Sequence, residues 1–166
     1  MLDSMRPDVV CRDVASIDLG ALKEMDVRAL VFDLDNTLTL WNDLNVPKGL
    51  KEWMDECRGQ GFSLCICSNN HTPRIQPVAD KLGLEFVPDA GKPAPEAFLQ
   101  ACKLMGVQPQ NAAAVGDQLM TDVIGAKRAG LHAVLVNPLG KREFVGTYFN
   151  RIAERVLLRI MGVKRK

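Results

Sequence analysis

The feature that most constrains the fold of this 166-residue chain is a regular alternation of short apolar runs with longer segments of helical spacing. The apolar runs predict five buried strands, at 29–32, 62–67, 85–87, 112–115 and 133–136. The intervening segments predict helices that begin at Pro47, at Pro95 and at residue 119, and a further helix that has Thr72 as its N-cap. Strands that are apolar on both faces and alternate with helices form a parallel sheet. We therefore predict an α/β fold with a doubly wound parallel sheet and helices on both faces.

Polar side chains collect at the ends of four predicted strands. In doubly wound sheets, ligands bind in the crevice beyond the carboxyl ends of the strands. The residues that follow these strands are Asp33, Asp35, Ser68, Asn69, Asn70, Asp89, Lys92, Asp117 and Asp122. Carboxylates, a hydroxyl and an ammonium should thus meet in one place, which predicts a catalytic site.

The residue types favour phosphoryl transfer with a divalent cation. Asp33 and Asp117 are suited to share Mg²⁺, which prefers carboxylate, water and phosphate oxygens. The two histidines do not have the spacing of a zinc site. A carboxylate such as Asp33 can attack phosphorus, and Asp35 lies far enough along the chain to protonate the leaving oxygen and later deprotonate water. Lys92 can neutralise charge on the phosphoryl oxygens.

Four motifs stand in the order found in the haloacid dehalogenase (HAD) superfamily. VFDLDNTL resembles motif one, and CICSNN resembles motif two, an apolar strand that ends in serine. GKP resembles motif three, and VGDQLMTD resembles motif four. The resemblance covers roughly residues 28–137 and implies a HAD-like Rossmann-type fold.

The resemblance also implies roles for the catalytic residues. Asp33 would be the nucleophile, and Asp35 would be the general acid and base, a residue that phosphatases of the superfamily carry and dehalogenases lack. Ser68 and Lys92 would bind the transferring phosphoryl group. The implied intermediate is an aspartyl-phosphate.

Metal binding and loop support follow from the same resemblance. The implied Mg²⁺ ligands are the side chains of Asp33 and Asp117 and the backbone carbonyl of Asp35. Thr37 would support the loop of motif one. Asp122 would orient Lys92 or a metal-bound water, although a residue near a helix start is also suited to capping. Asn69 is open to two interpretations, phosphate contact or support of the loop backbone.

Finer features extend the resemblance over nearly the whole chain. LVNP at 135–138 and NRIAERVLLRIMGVKRK at 150–166 are similar to the YqeG-like group of HAD subfamily IIIA. Eukaryotic relatives of that group dephosphorylate phosphatidylglycerophosphate, which makes a lipid phosphate one candidate substrate. Phosphates of nucleotides, sugars or proteins, and a catalytically weak binding or scaffold protein, are the alternatives.

The spacing between motifs predicts an open site without a cap domain. Asp35 and Ser68 are separated by 32 residues, and Ser68 and Lys92 by 23, and one helix and one strand fill each interval. An open site suits a phosphate that is presented on something large or on a surface.

The charges divide the chain into two parts, a HAD-like core at 1–140 and a basic amphipathic helix at 141–166. The first part carries 13 basic and 18 acidic residues, and the second carries 8 basic and 2 acidic residues. The basic segment either packs on the core with a solvated arginine face or lies on an anionic membrane. Nucleic acid is disfavoured, because the chain has no recognised binding motif.

Several simpler expectations complete the interpretation. The absence of a long apolar run or a secretory signal predicts a cytoplasmic protein, with the inner membrane surface as an alternative location.

The five cysteines are expected to be buried apolar residues and not a metal or redox site. His71 is expected to be solvated, and Trp41 either packs the loop after motif one or faces the substrate.

Overall fold

A computed structural model describes residues 5–141 and 147–166, and at 147–152 it describes the backbone alone. The strands are β1 Val9–Val10, β2 Ala29–Phe32, β3 Ser63–Cys67, β4 Glu85–Val87, β5 Ala112–Gly116 and β6 His132–Leu135. The helices are α1 Leu19–Glu24, α2 Leu50–Gly59, α3 Thr72–Leu82, α4 Glu96–Met105, α5 Ile124–Ala129 and α6 Thr147–Ile160. Short 3₁₀ turns occupy Val14–Ser16 and Pro109–Asn111, and a π-helical turn at Leu119–Val123 precedes α5.

The six strands form one parallel sheet in the order β1-β6-β5-β2-β3-β4. From the central strand β2 the chain continues to β3 and β4 on one side of the sheet, and it then crosses to β5 on the other side of β2. The carboxyl ends of β2 and β5 therefore flank the point where the strand order reverses, which is the place where such sheets bind ligands. The predicted fold class is confirmed.

Each face of the sheet has its own apolar core because side chains alternate along a strand. Leu30 and Phe32 of β2 pack with α1, α2 and α3, whereas Ala29 and Val31 pack with α4, α5 and Leu158 of α6. All four residues of β2 are buried. This double burial explains why the central strand is a continuous apolar run in the sequence.

The element bounds differ from the sequence expectations in a few places. The strand β1 and the helix α1 were not predicted, because a two-residue strand and a six-residue helix carry little periodic signal. The helix expected from Pro47 begins at Leu50, after Gly49 with a φ of 85°. Thr72 is the first residue of α3, and His71 is its N-cap.

The segments between the motifs contain no additional domain. The interval from Asp35 to Ser68 holds α2 and β3, and the interval from Ser68 to Lys92 holds α3 and β4, all within the described range 5–141. The crevice at the ends of β2 and β5 is therefore not covered by a cap inserted at either place.

The helix α6 contacts the core through one side. Leu158 is buried against the second core, and Leu157, Met161 and Val163 pack beside it. On the opposite side Val156 and Ile160 are 54% and 63% exposed. The sequence places Val145, Phe149 and Ile152 at helical spacing with Val156 and Ile160, and Arg151 beside them. Residues 142–146 and the side chains of 147–152, which include these four residues, lie outside the description. In the described residues no helix combines the length and apolarity needed to cross a bilayer.

The expectation that the cysteines are buried is confirmed. All five are buried and have free thiols. Burial raises the pKa of Cys57, Cys65 and Cys67 to about 12, so these thiols stay protonated at neutral pH.

Candidate active site

Asp33 and Lys92 form the centre of the site. Asp33 directly follows β2, and its backbone N–H donates to the carbonyl of Val115 at 2.9 Å, which fixes it beside β5. Lys92 Nζ donates to Asp33 Oδ1 at 2.6 Å and to Asp122 Oδ1 at 2.7 Å. The Lys92 side chain is only 3% exposed. The structure thus brings together three residues that lie far apart in the sequence.

Asp117 completes a carboxylate cluster. One oxygen atom each of Asp33, Asp117 and Asp122 lies within 4.8 Å of the others. Thr37 Oγ1 donates to Asp117 Oδ1 at 3.2 Å, so the loop after β2 is joined to the loop after β5. Asp122 accepts hydrogen bonds from Lys92 and from the backbone N–H of Gln118 at 3.1 Å. The oxygen atoms of these three carboxylates lie close enough together to hold a metal ion.

The electrostatics of this cluster fit a hard divalent cation. Burial is the largest influence on Asp33 and raises its pKa to about 7; Lys92 lowers this pKa, and the carboxylates of Asp122 and Asp117 raise it. Burial opposes the charge of Lys92, yet Asp122 and Asp33 outweigh it and raise the pKa of the ammonium above its usual value. Three carboxylates face one ammonium, and oxygen donors with excess negative charge are suited to a divalent cation.

Asp35 is held by donors from the segment after β3. Arg74 Nη2 donates to Asp35 Oδ1 at 2.5 Å, and Asn70 Nδ2 donates to Asp35 Oδ2 at 2.6 Å. The backbone N–H of Asn42 also donates to Asp35 Oδ1, at 3.1 Å. The Asp35 side chain is 19% exposed, so solvent reaches this carboxylate.

Ser68 and Asn69 connect the second and third motifs. Ser68 is buried, and its Oγ accepts hydrogen bonds from the backbone N–H of Asn70 at 3.2 Å and from Asn70 Nδ2 at 3.0 Å. Asn69 Oδ1 accepts from the backbone N–H of Lys92 at 2.8 Å. Of the two interpretations of Asn69, this contact is the one expected for support of the loop backbone.

Asp89 contacts a residue outside the candidate group. It follows β4, and a carboxylate oxygen of Asp89 contacts Nδ1 of His71; the two side chains are 57% and 85% exposed. Trp41 is 39% exposed in the loop after β2. Asp89 is therefore far more exposed than Asp33, Lys92 and Asp122, whose side chains are 12%, 3% and 4% exposed.

The sequence did not reveal three residues that shape the site. Arg74 lies on α3, and Arg165 lies beyond α6, where its Nη2 donates to the backbone carbonyl of Asp117 at 2.7 Å. Gly116 ends β5, and a Cβ added there would lie 2.3 Å from Asp122 Cγ. The glycine before Asp117 was the one signal available, because a close approach of this kind requires the absence of a side chain.

Comparisons with known proteins agree with this geometry. Residues 40–130 match the haloacid dehalogenase-like hydrolase family. The probable phosphatase YqeG of Bacillus subtilis (strain 168) is 37% identical over 160 residues, which cover 96% of this chain and 92% of that protein. Phosphatidylglycerophosphate phosphatase 1, chloroplastic/mitochondrial, of Arabidopsis thaliana is 25% identical over 146 residues, which are 82% of this chain but 42% of that protein.

Solved structures share the fold. The cobalt-bound form of deoxy-D-mannose-octulosonate 8-phosphate phosphatase from Haemophilus influenzae aligns with a TM-score of 0.57 at 17% identity, over 84% of this chain and 92% of that one. A protein from Listeria monocytogenes serotype 4b aligns with a TM-score of 0.57 at 18% identity, over 82% of this chain and 100% of that one. With the family match, the whole-length relative and the strand-end carboxylates together, this chain belongs to the haloacid dehalogenase-like hydrolase family.

Proposed function

We propose that this chain is a Mg²⁺-dependent phosphomonoester hydrolase that works through an aspartyl-phosphate on Asp33. The observation that carries this proposal is the contact of Asp33 with Lys92, at 2.6 Å, within one cluster that also contains the carboxylate of Asp117. A nucleophilic carboxylate needs a cationic partner that neutralises the incoming phosphoryl group, and this cluster supplies one. The whole-length relative from Bacillus subtilis, a probable phosphatase, supports the same reaction class.

The first half of the reaction transfers the phosphoryl group to the protein. An oxygen of Asp33 attacks phosphorus, and the bond from phosphorus to the alcohol oxygen breaks as a proton moves from Asp35 to that oxygen. Lys92 and Ser68 donate hydrogen bonds to the phosphoryl oxygens. Mg²⁺, held by Asp33, Asp117 and the backbone carbonyl of Asp35, would offset the negative charge of the carboxylates and the phosphoryl group.

The second half restores the free carboxylate. Asp35 takes a proton from a water molecule, and the water oxygen attacks phosphorus. The bond from Asp33 to phosphorus then breaks, and inorganic phosphate leaves. Asp35 thus acts first as acid and then as base, and the protein returns to its starting state.

For the substrate, we propose a lipid phosphate such as phosphatidylglycerophosphate. The named activity of the Arabidopsis relative supports this choice, and so does a site without an inserted cap, since a lipid presents its phosphate at a surface. The proposal includes a cytoplasmic protein with peripheral contact to the inner membrane surface through residues 141–166. Nucleotide, sugar and protein phosphates are the competing substrates.

Hydrolysis of p-nitrophenyl phosphate with and without Mg²⁺ tests the reaction class. We expect turnover that depends on Mg²⁺ and is lost in Asp33→Asn. Turnover that survives in Asp33→Asn would contradict the mechanism, and a wild-type protein inactive on every phosphoester would favour a binding protein. A panel of lipid, nucleotide, sugar and protein phosphates, compared by kcat/KM, then tests the substrate class.

A further inference from the structure

Arg74 is the residue outside the four motifs that is most directly joined to the proposed acid and base. It lies in the first turn of α3, and its Nη2 donates to Asp35 Oδ1 at 2.5 Å and to Thr39 Oγ1 at 3.2 Å. Its side chain is 14% exposed. One guanidinium thus holds two points of the loop that follows β2.

The other two nitrogen atoms of this guanidinium make no hydrogen bond within the part of the chain that the structure describes. Arg74 Nε and Nη1 are buried and have no hydrogen-bond acceptor among the described residues. Burial of donors without acceptors is unfavourable, and such groups are rare in native structures. The hydrogen bonds of the Arg74 side chain therefore serve Asp35 and its loop and no other part of the described structure.

The second oxygen of Asp35 is held from the same direction. Asn70 Nδ2 donates to Asp35 Oδ2 at 2.6 Å and to Ser68 Oγ at 3.0 Å. Asp35 is thereby connected to the proposed phosphate-binding serine through one amide. With Arg74 on Oδ1 and Asn70 on Oδ2, the direction of the carboxylate is fixed on both sides.

We propose that Arg74 is a positioning residue for proton transfer by Asp35. It orients the carboxylate so that the proton passes to the leaving oxygen when phosphorus is transferred to Asp33, and it holds the same carboxylate when a proton returns from water. The inference rests on the proposed function, because it assigns Arg74 a part in that reaction.

Leaving-group dependence tests this role. A poor leaving group such as glycerol needs the proton, whereas p-nitrophenolate departs without it. For Arg74→Gln we expect kcat/KM to fall about 10- to 100-fold on glycerol phosphate and only a few-fold on p-nitrophenyl phosphate. Arg74→Lys, which keeps one charged donor, should restore part of the loss. Equal losses on both substrates would mean a merely structural role and would overturn the inference.

Two comparisons separate this inference from the proposed function. Asp35→Asn should show the same dependence of kcat/KM on the leaving group. If Asp35→Asn shows this dependence and Arg74→Gln does not, the role of Arg74 is wrong and the proposed function stands. If Asp35→Asn shows no dependence on the leaving group, the proposed acid role of Asp35 is itself wrong. Arg58→Gln is the matched control, since Arg58 binds the carbonyl of Leu82 at 2.7 Å, away from the site, and it should leave the ratio of the two substrates unchanged.

A separate observation concerns exposed apolar side chains at the rim of the site. Leu40 and Trp41 follow β2 and are 45% and 39% exposed, and Leu139 follows β6 and is 40% exposed. The two loops touch, because the backbone N–H of Leu139 donates to the carbonyl of Asn36 at 2.9 Å and a Cβ at Gly140 would lie 2.8 Å from Leu40 Cδ2. These three side chains form what we call the apolar rim.

Basic residues border the apolar rim. The segment after α6 returns to this edge, where Asn137 Nδ2 contacts the carbonyl of Lys166 and Arg165 Nη1 donates to the carbonyl of Val136 at 2.6 Å. Lys141, Lys164 and Lys166 are exposed. An apolar tip beside exposed lysines is the combination that binds an anionic lipid surface.

We infer that the apolar rim docks on an anionic bilayer and brings the site to a phosphate at its surface. This inference also rests on the proposed function, and it names loops that the helix at 141–166 does not include. Partition between buffer and vesicles tests it, with phosphatidylcholine vesicles compared with equimolar phosphatidylcholine and phosphatidylglycerol. We expect binding to the anionic vesicles alone, with a decrease at high salt.

Two double variants test whether the apolar rim is the docking surface. Leu40→Ser with Leu139→Ser should lower the partition coefficient about 10-fold or more and retain turnover of p-nitrophenyl phosphate. Leu99→Ser with Leu104→Ser is the matched control, because these leucines of α4 are 42% and 51% exposed. Equal binding by the two double variants would overturn the docking surface, as would a wild-type protein that does not bind. Either result leaves the phosphatase proposal unaffected.

Discussion

Arg165 donates a hydrogen bond from Nη2 to the backbone carbonyl of Asp117, the proposed metal ligand, at 2.7 Å. The same guanidinium donates to the carbonyl of Val136 at 2.6 Å and forms an ion pair with Glu154, which is buried in α6. One residue of the basic C-terminal segment thus supports the loop that follows β5. Its charge is not available to a membrane in this arrangement.

Arg165→Ala should therefore weaken metal binding. Supports of a metal ligand commonly contribute about 10- to 100-fold to affinity, so the Mg²⁺ concentration for half-maximal turnover should rise by roughly that factor. Lys164→Ala, a neighbouring exposed lysine, is the control and should leave the Mg²⁺ dependence unchanged. Thermal melting of both variants without Mg²⁺ separates loss of metal affinity from loss of fold, and equal Mg²⁺ curves would contradict the assigned support.

Gly116→Ala should disrupt the site through a steric clash with Asp122. The new methyl group would lie 2.3 Å from Asp122 Cγ, so Asp122 and the Lys92 ammonium bound to it must move. Overpacking of this kind costs about 1–3 kcal/mol of unfolding free energy, and turnover should fall at least about 10-fold. Gly59→Ala has open space around the new atom and should fold and turn over normally. Urea unfolding and p-nitrophenyl phosphate hydrolysis measure both effects.

The sequence predicts the sheet and the strand-end carboxylates for a common reason. Apolar runs mark the buried strands, and a parallel sheet places their carboxyl ends together, so Asp33 and Asp117 could be grouped without coordinates. Arg74 and Arg165 could not, because neither follows a strand: Arg74 lies on α3 and Arg165 lies beyond α6, and their contacts depend on how these segments pack. No local pattern distinguishes either arginine from one that faces solvent.

The buried thiols predict a loss of stability at alkaline pH. Burial raises the pKa of Cys57, Cys65 and Cys67 from 9.0 to about 12. Between pH 9.0 and about 12 the folded protein therefore keeps protons on these thiols that the unfolded chain has lost. The contribution of the thiols to the free energy of unfolding is complete below pH 9.0 and decreases as the pH rises through this interval. A thiol reagent at neutral pH should react with none of the five cysteines in the folded protein and with all five after unfolding. Rapid reaction without unfolding would contradict this burial.

Lys92→Met should destabilise the protein far more than the same substitution at the surface. Lys92 is buried and paired with Asp33 and Asp122, so its loss leaves two carboxylates without their shared cation. Removing one partner of a buried ion pair costs about 3–5 kcal/mol, and part of this cost is avoided if a carboxylate takes up a proton. Lys51→Met removes a lysine whose side chain is 58% exposed and paired with Asp55 across one turn of α2, and should change stability little.

Urea unfolding in the presence of a chelator measures both lysine variants without interference from a bound cation. Added Mg²⁺ should then raise the unfolding midpoint of Lys92→Met, because a cation between Asp33 and Asp117 restores positive charge to the cluster. Asp122→Asn in the same background should also recover stability, since it removes one of the two carboxylates that Lys92 had neutralised. If both lysine variants unfold at the same urea concentration, Lys92 does not hold the carboxylate cluster together.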